Sequence, residues 1–203
     1  MTNFKGFTLV EITIVLVVVG LLLGGILKGK EIIFNAKVKN LESNLEEIRA
    51  AIYTYQERYR ALPGDDPTAS RKFGRDITVS TSKGDGRING IFQSTTDSDE
   101  SRIAWTHLRA AEMVVGSPTS FEQPLNVFYG ISGISSEISA LGGRSLVTLS
   151  GVFIGFTQIP QKAAVILESR LDDNQPHTGA IQTDSPNGYD DGSSIEYNVF
   201  CTI

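Results

Sequence analysis

The sequence has few of the side chains that usually carry chemistry. It has one cysteine, Cys201, so no disulfide can form within the chain. Its two histidines, His107 and His177, are not in a zinc-binding spacing, and no GxSxG or P-loop motif is present. We therefore predict that the protein is not an enzyme. We expect Cys201 to be a small buried residue in a strand, and both histidines to be ordinary surface or helix residues.

Basic residues are also scarce outside the N-terminal part. Residues 1–62 hold eight Lys/Arg and six Asp/Glu, a net charge of +2, whereas residues 63–203 hold ten and seventeen, a net charge of −7. A nucleic-acid-binding surface needs a basic stripe that pairs with phosphates. We therefore expect no nucleic-acid partner for the acidic part.

No proline precedes Pro63, and the N-terminal region contains a long apolar run. Phe7 to Leu27 is almost free of charge and, as a helix, is about 30 Å long, which matches a bilayer core. A cleavable secretory signal would have a shorter apolar region followed by a small-x-small site, whereas here Lys28 follows directly. We predict that residues 7–27 form a single membrane-spanning helix that stays attached.

A second pattern continues the helix from residue 28 to Leu62, where Pro63 and Gly64 are expected to end it. Apolar residues recur there at alternating spacings of three and four, which indicates one stripe on an amphipathic helix. The stripe consists of Val38, Leu41, Leu45, Ile48, Ile52, Tyr55 and Tyr59. A coiled coil is one interpretation, but three heptads favour packing against the chain's own downstream domain.

The segment "KGFTLVE" at Lys5–Glu11, followed by the apolar run, resembles the leader junction of type IV pilins and type II secretion pseudopilins. The resemblance implies that residues 1–6 are a leader peptide, which prepilin peptidase removes by cutting after Gly6. It further implies N-methylation of Phe7 and pairing of Glu11 with the terminal amine of a neighbouring subunit. An alternative is that Glu11 lies in the lipid headgroup region, although ionisable residues in membrane segments are generally functional.

The same resemblance implies a fold, a location and partners. The fold is α+β: a long N-terminal helix, membrane-spanning in its first half, packs on a C-terminal antiparallel sheet in residues 63–203. The protein would cross the bacterial inner membrane once, with its globular domain in the periplasm. It would then enter a pilus or pseudopilus filament with identical or related pilin subunits, through an inner-membrane assembly platform.

Residue patterns alone also predict elements in the globular part. A second helix is expected at Glu100–Val114, with Ile103, Leu108 and Ala111 buried and Trp105 nearby. We predict strands at Leu125–Tyr129, Leu146–Phe156 and Ile195–Thr202, the last at an edge or half-buried; a helix or strand at Ala163–Leu167; and a long surface loop at Asp172–Ser194.

Two acidic stretches are candidates for calcium binding. "GDGRING" at Gly84–Gly90 shares Asp85, Gly86 and Ile88 with the end of such loops, but Thr81 and Lys83 stand where acids would be needed, so we predict a turn. The long loop holds Asp172, Asp173 and Asn174, with Asp190 and Asp191 further along. These five residues are either solvated turn residues or ligands of a Ca²⁺ ion.

The sequence leaves three functions open. The first is a structural subunit of a type IV pilus or a similar filament. The second is a minor pseudopilin of a type II secretion system, and the third is a monomeric, membrane-anchored periplasmic binding module. A DNA-uptake pilin is disfavoured by the acidic outer part.

Overall fold

The computed structural model describes residues 6, 8–81, 84–137, 147–185, 189 and 196–203. The chain divides into two compact units, Met1–Lys39 and Asn40–Ile203. The helices and strands of the described residues are, in chain order, α1 (Leu9–Tyr59), α2 (Ala69–Phe73), α3 (Glu100–Ala110), β1 (Ser132–Ser135), β2 (Phe153–Pro160), α4 (Gln161–Leu171), β3 (Ile181–Thr183) and β4 (Glu196–Thr202).

The four strands form one antiparallel sheet in the order β1-β2-β4-β3. This confirms the predicted α+β class, with a long N-terminal helix and a C-terminal antiparallel sheet. On the sheet, Phe92, Phe153 and Phe200 pack edge to face, with ring centroids 5.2 to 6.4 Å apart. Val147 and Leu149 complete this apolar cluster.

The helix stripe is confirmed in the second unit, where five of its members are buried: Leu41, Leu45, Ile48, Ile52 and Tyr55. Helix α1 ends at Tyr59, three residues before the predicted end at Leu62. Arg60 takes a left-handed conformation with φ of 58°, and its N–H still bonds the Gln56 carbonyl oxygen. This conformation ends the helix before Pro63 can.

The second helix begins at Glu100 as predicted but ends at Ala110 rather than Val114. Glu112 has a positive φ of 60°, and the N–H groups of Glu112 and Met113 bond the carbonyl oxygens of Arg109 and Leu108. This pair of bonds is a Schellman motif, which terminates a helix and satisfies its last carbonyls. The three residues predicted to be buried, Ile103, Leu108 and Ala111, are buried, and so is Trp105, which was expected only nearby.

The predicted strand at Leu125–Tyr129 is wrong. Only Leu125 makes a β-bridge, to Ile131, and Tyr129 has a positive φ of 69°. The Asn126 side-chain oxygen accepts hydrogen bonds from the N–H groups of Phe128 and Gly130, and the chain therefore turns here. The strand that sequence analysis missed, β1, follows this turn.

Three further predictions need correction. The strand expected at Leu146–Phe156 begins at Phe153 and runs to Pro160; Leu146 lies outside the described residues. The strand predicted at Ile195–Thr202 is present as β4, but it is flanked by β2 and β3, so of its two predicted settings, edge or half-buried, the edge is wrong. The expected loop at Asp172–Ser194 contains β3.

The stretch Ala163–Leu167, which sequence left open between helix and strand, is helical and belongs to α4. Its buried residues include Ala163, Ala164 and Leu167. Helix α4 lies against β2, β3 and β4 and is tied to α1 by an ion pair of 2.7 Å between Arg170 and Glu42.

Candidate functional site

Glu11 lies in the first turn of α1, where it forms a reciprocal pair of hydrogen bonds with Thr8. Its carboxylate accepts from the backbone N–H and the hydroxyl of Thr8, both at 2.8 Å. In return, the Glu11 N–H donates to the Thr8 hydroxyl oxygen at 3.2 Å. Thr8 directly precedes the helix, so the two residues form a capping box that satisfies backbone donors left free at a helix start.

Sequence analysis predicted Glu11 as an assembly residue but missed this local role. The signal was available, because Thr followed three residues later by Glu before an apolar run is typical of a helix N-terminus. A negative charge is also favourable at this end of a helix dipole. Glu11 therefore stabilises the start of the helix within its own chain. An experiment on its assembly role has to distinguish this effect from pairing with a neighbouring subunit.

The residues around the predicted cleavage bond lie just before the helix. Gly6 is exposed, and a Cβ added to it would meet no atom within 4 Å. Phe7, the predicted methylation site, lies outside the described residues. Among the described residues, α1 is the one helix that is long and apolar enough to cross a membrane, and its apolar window is exposed throughout. The helix thus fits membrane anchoring.

The two histidines have different surroundings. His107 on α3 is fully buried; its Nδ1 accepts the Gly64 N–H at 2.9 Å, and its Nε2 lies 2.9 Å from the Thr78 carbonyl oxygen. Nε2 must therefore carry the ring proton. Burial lowers the pKa of His107. His177 is partly exposed, and its Nε2 lies 2.6 Å from the Ser185 carbonyl oxygen.

Cys201 is fully buried in β4, as predicted for a small core residue. Burial raises the pKa of its thiol well above the ordinary value, so the nucleophilic thiolate is scarce. This environment does not favour nucleophilic catalysis by Cys201.

The C-terminal acidic loop brings two of its predicted metal ligands together. Carboxylate oxygens of Asp172 and Asp173 lie within 4.8 Å of each other and of Glu168, a fully buried residue that sequence analysis missed. Asn174 follows with a positive φ of 65°, while Asp190 and Asp191 lie outside the described residues. Calcium binding in this loop stays a prediction.

Two other observations describe how this loop is held. Asp172 accepts the Ile181 N–H at 2.6 Å, and Asp173 accepts the Thr178 hydroxyl at 2.6 Å. Glu168 accepts the Tyr189 hydroxyl at 3.0 Å, and burial raises the pKa of Glu168 to about 7. The Glu168 carboxyl group can therefore take up a proton near neutral pH, which relieves its repulsion with the two aspartates.

Comparison with known proteins identifies the N-terminal segment. A family model described as the prokaryotic N-terminal methylation motif matches residues 1–27. This motif is the class III prepilin signal, and here it is followed by a long apolar helix. Neither curated proteins nor solved structures gave a match to the chain. The matched motif supports a precursor of the type IV pilin or pseudopilin kind.

Proposed function

We propose that this protein is a structural subunit of a type IV pilus or a type IV pilus-like filament. In this proposal prepilin peptidase removes residues 1–6 and methylates the new amine on Phe7. Residues 7–27 hold the subunit in the inner membrane until it is drawn into the filament, and residues 28–59 continue the helix. Residues 63–203 lie in the periplasm and then on the outer face of the filament.

The observation that carries the proposal is the position of Glu11. It is the one carboxylate in a membrane-length apolar segment, and it lies within the methylation motif matched at residues 1–27. An unpaired carboxylate is unfavourable in lipid, whereas a carboxylate beside a cationic amine in a bundle of helices is paired. A neighbouring subunit's methylated amine would supply that cation after processing.

The capping box determines which variants can test this role. Glutamine serves as well as glutamate at the third position of a capping box, so Glu11→Gln keeps the hydrogen bond to Thr8 but removes the charge. Glu11→Ala removes both, and Thr8→Ala removes the hydroxyl while it keeps the charge. Comparison of the three variants separates the helix start from the ion pair.

We expect Glu11→Gln and Glu11→Ala to insert in the membrane but to be lost from sheared filaments, while Thr8→Ala is incorporated. Each variant is first checked for processing by mass spectrometry of its N-terminal peptide. If Glu11→Gln is incorporated and the two alanine variants are not, the capping role explains Glu11 and the ion pair is excluded. If all three enter filaments as the wild type does, neither the capping box nor the ion pair is required for assembly. If the wild type itself is absent from sheared filaments, a monomeric tethered protein is the better description.

Processing has its own test. In cells that contain prepilin peptidase, the mature chain should begin with N-methylated Phe7. A chain that retains Met1 beside an active peptidase would contradict the proposal, whatever the phenotype of the Glu11 variants.

A further inference from the structure

Three carboxylates that are distant in sequence meet beside the turn after residue 84. Asp65 follows the end of α1, Asp85 lies in the turn, and Glu100 begins α3. One carboxylate oxygen from each lies within 4.8 Å of the others. Asp65 and Glu100 are 3% and 2% exposed, so two of these three negative charges are almost fully removed from water.

Glu100 is incompletely paired in this position. Its Oε2 accepts hydrogen bonds from the backbone N–H and the side-chain amide of Asn89, at 2.8 and 3.0 Å. Its Oε1 is buried and has no hydrogen-bond partner among the residues that the structure describes. A buried carboxylate oxygen without a donor is unfavourable, and it points to a cation as the missing partner.

Asp65 also keeps capacity for a cation. Its Oδ2 accepts the Gly86 N–H at 2.7 Å and its Oδ1 accepts the Asp85 N–H at 3.2 Å. Each carboxylate oxygen can accept a second interaction. Burial raises the pKa of Asp65, and the negative charges of Glu100 and Asp85 raise it further. The hydrogen bonds from Gly86 and Asp85 lower this pKa but do not cancel the rise. A bound cation would offset that repulsion.

We propose that Asp65, Asp85 and Glu100 form a binding site for one Ca²⁺ ion. The three ligands are hard oxygen donors, which suit Ca²⁺, Mg²⁺ or Mn²⁺ rather than zinc or copper. Two oxygens bound to one Ca²⁺ are at most about 5 Å apart, and the observed oxygens meet that limit. Two ligands of Mg²⁺ are at most about 4.2 Å apart, and Mg²⁺ demands a stricter geometry.

Water has access to complete the coordination shell. Asp85 is exposed, and an open cleft of about 420 Å³ is lined by Leu62, Asp65, Gly84 and Gly86, among other residues. Ca²⁺ takes six to eight oxygen ligands, so water would supply those that the three carboxylates do not. The bound ion would tie the end of α1 and the start of α3 to the turn between them.

The site also accounts for the partial likeness of "GDGRING" to a calcium loop. The sequence has no acid at positions 81 and 83, where the local motif would need one. The fold brings acids to the turn from Asp65, 20 residues before Asp85, and from Glu100. The proposal concerns the second unit alone and does not depend on filament assembly.

The test is calorimetric titration of the full chain in detergent with CaCl₂ from about 10 µM to 5 mM, the range that covers weak extracellular sites. The variant Asp85→Asn is the main probe, because asparagine keeps the oxygen that accepts the Arg87 N–H and the residue is exposed. Asp97→Asn is the matched control, since Asp97 is an exposed aspartate of the same stretch outside the cluster.

We expect Asp85→Asn to weaken the affinity for one Ca²⁺ ion at least tenfold, and Asp97→Asn to bind Ca²⁺ as the wild type does. Asp173→Asn, in the C-terminal acidic loop, should keep the wild-type affinity for the Ca²⁺ ion whose binding Asp85→Asn weakens. The proposal is overturned if the wild type binds no Ca²⁺ in this range. It is also overturned if Asp85→Asn binds as tightly as Asp97→Asn, or if binding is lost in Asp173→Asn alone.

A second variant guards against a simple folding defect. Glu100→Gln removes one charge from the cluster and should raise the thermal midpoint of the metal-free protein, because less repulsion remains. The same variant should lose the upward shift of the midpoint that Ca²⁺ gives the wild type. A variant that keeps the full Ca²⁺-dependent shift would contradict the proposal.

Discussion

The backbone N–H of Gly64 donates a hydrogen bond of 2.9 Å to Nδ1 of His107. This bond fixes the turn after α1 against the middle of α3, and it requires His107 to be neutral. A second proton on the ring would set two donors against each other in a buried place. The pKa of His107 is accordingly lowered, chiefly by burial.

The contribution of His107 to stability should therefore fall as the pH falls. Glu168, whose pKa burial raises to about 7, contributes in the opposite direction over part of the same range. The unfolded chain takes up the proton of His107 near pH 6.5, whereas the folded chain does so only at lower pH. The stabilisation is complete above pH 6.5 and decreases below it, by at most about 1.4 kcal/mol per pH unit. The charged groups near the ring are Asp66, Lys72 and Glu100.

Urea unfolding in detergent between pH 7.5 and 5.5 measures this dependence, with the fluorescence of the single tryptophan, Trp105, as the signal. Relative to the wild type, His107→Gln should lose less stability, or gain more, as the pH falls over this range. His177→Gln is the matched control and should follow the wild type. An unchanged slope in His107→Gln would show that other groups cause the dependence.

Gly64 is also required by its own backbone. Its φ is +91°, and a Cβ there would run into the carbonyl oxygen of Glu100 and lie 3.2 Å from the Cβ of Ala104. Gly74 has a φ of +119° but nothing within 4 Å of an added Cβ. Gly74→Ala should thus lower the free energy of unfolding by about 1–3 kcal/mol through backbone strain alone.

Gly64→Ala should cost more than Gly74→Ala, because α3 must move away as well. Urea unfolding of both variants measures the difference. Equal losses of stability would mean that the contact with α3 relaxes without cost.

The hydroxyl of Tyr55 donates to Oδ2 of the buried Asp66 at 3.0 Å, and Lys72 pairs with the same oxygen at 2.6 Å. Burial would raise the pKa of Asp66, but hydrogen bonds from Lys72, Thr68 and Tyr55 lower it overall. Tyr55→Phe should lower the free energy of unfolding by about 1.5–3 kcal/mol, as for hydrogen bonds to charged groups.

The control for this prediction is Tyr53→Phe, since Tyr53 is 50% exposed on the same helix. It should change stability by less than about 0.5 kcal/mol. A similar effect of the two substitutions in urea unfolding would remove Asp66 as the cause.

Cys201 should be inert in the folded protein. Its thiol is fully buried, and burial raises its pKa, so a maleimide should label it slowly at pH 8 and rapidly in urea. The variant Ser117→Cys places a thiol at an exposed position and should be labelled at once without urea. Rapid labelling of native Cys201 would reveal opening of β4.

Local patterns predicted the parts of the fold that local forces determine. The spacing of Leu41, Leu45, Ile48, Ile52 and Tyr55 indicated the helix face that is buried, because an amphipathic helix packs its apolar face against the core. The apolar residues of α3 were equally informative. The buried face of α1 and the start of α3 were predicted correctly. Both helices end earlier than predicted, because Arg60 and Glu112 take left-handed conformations that no sequence rule indicated.

The strands were harder, since their pairing partners are distant in sequence. "LNVFY" has the composition of a strand, but the side chain of Asn126 folds it into a turn. The sequence "SGIS" of β1 has little strand character, and it is a strand because it pairs with β2. Likewise, the cluster of Asp65, Asp85 and Glu100 exists only in the folded chain, because no short motif contains all three.

The central place of β4 has a consequence for the order in which the sheet is built. Strand β4 pairs with β2 through Phe153↔Thr202 and with β3 through Ile181↔Cys201. Until residue 202 has emerged from the ribosome, β3 has no neighbour, and β2 has only β1. The complete sheet therefore cannot form before residue 202 has left the ribosome, and until then β3 and one edge of β2 are exposed to other chains.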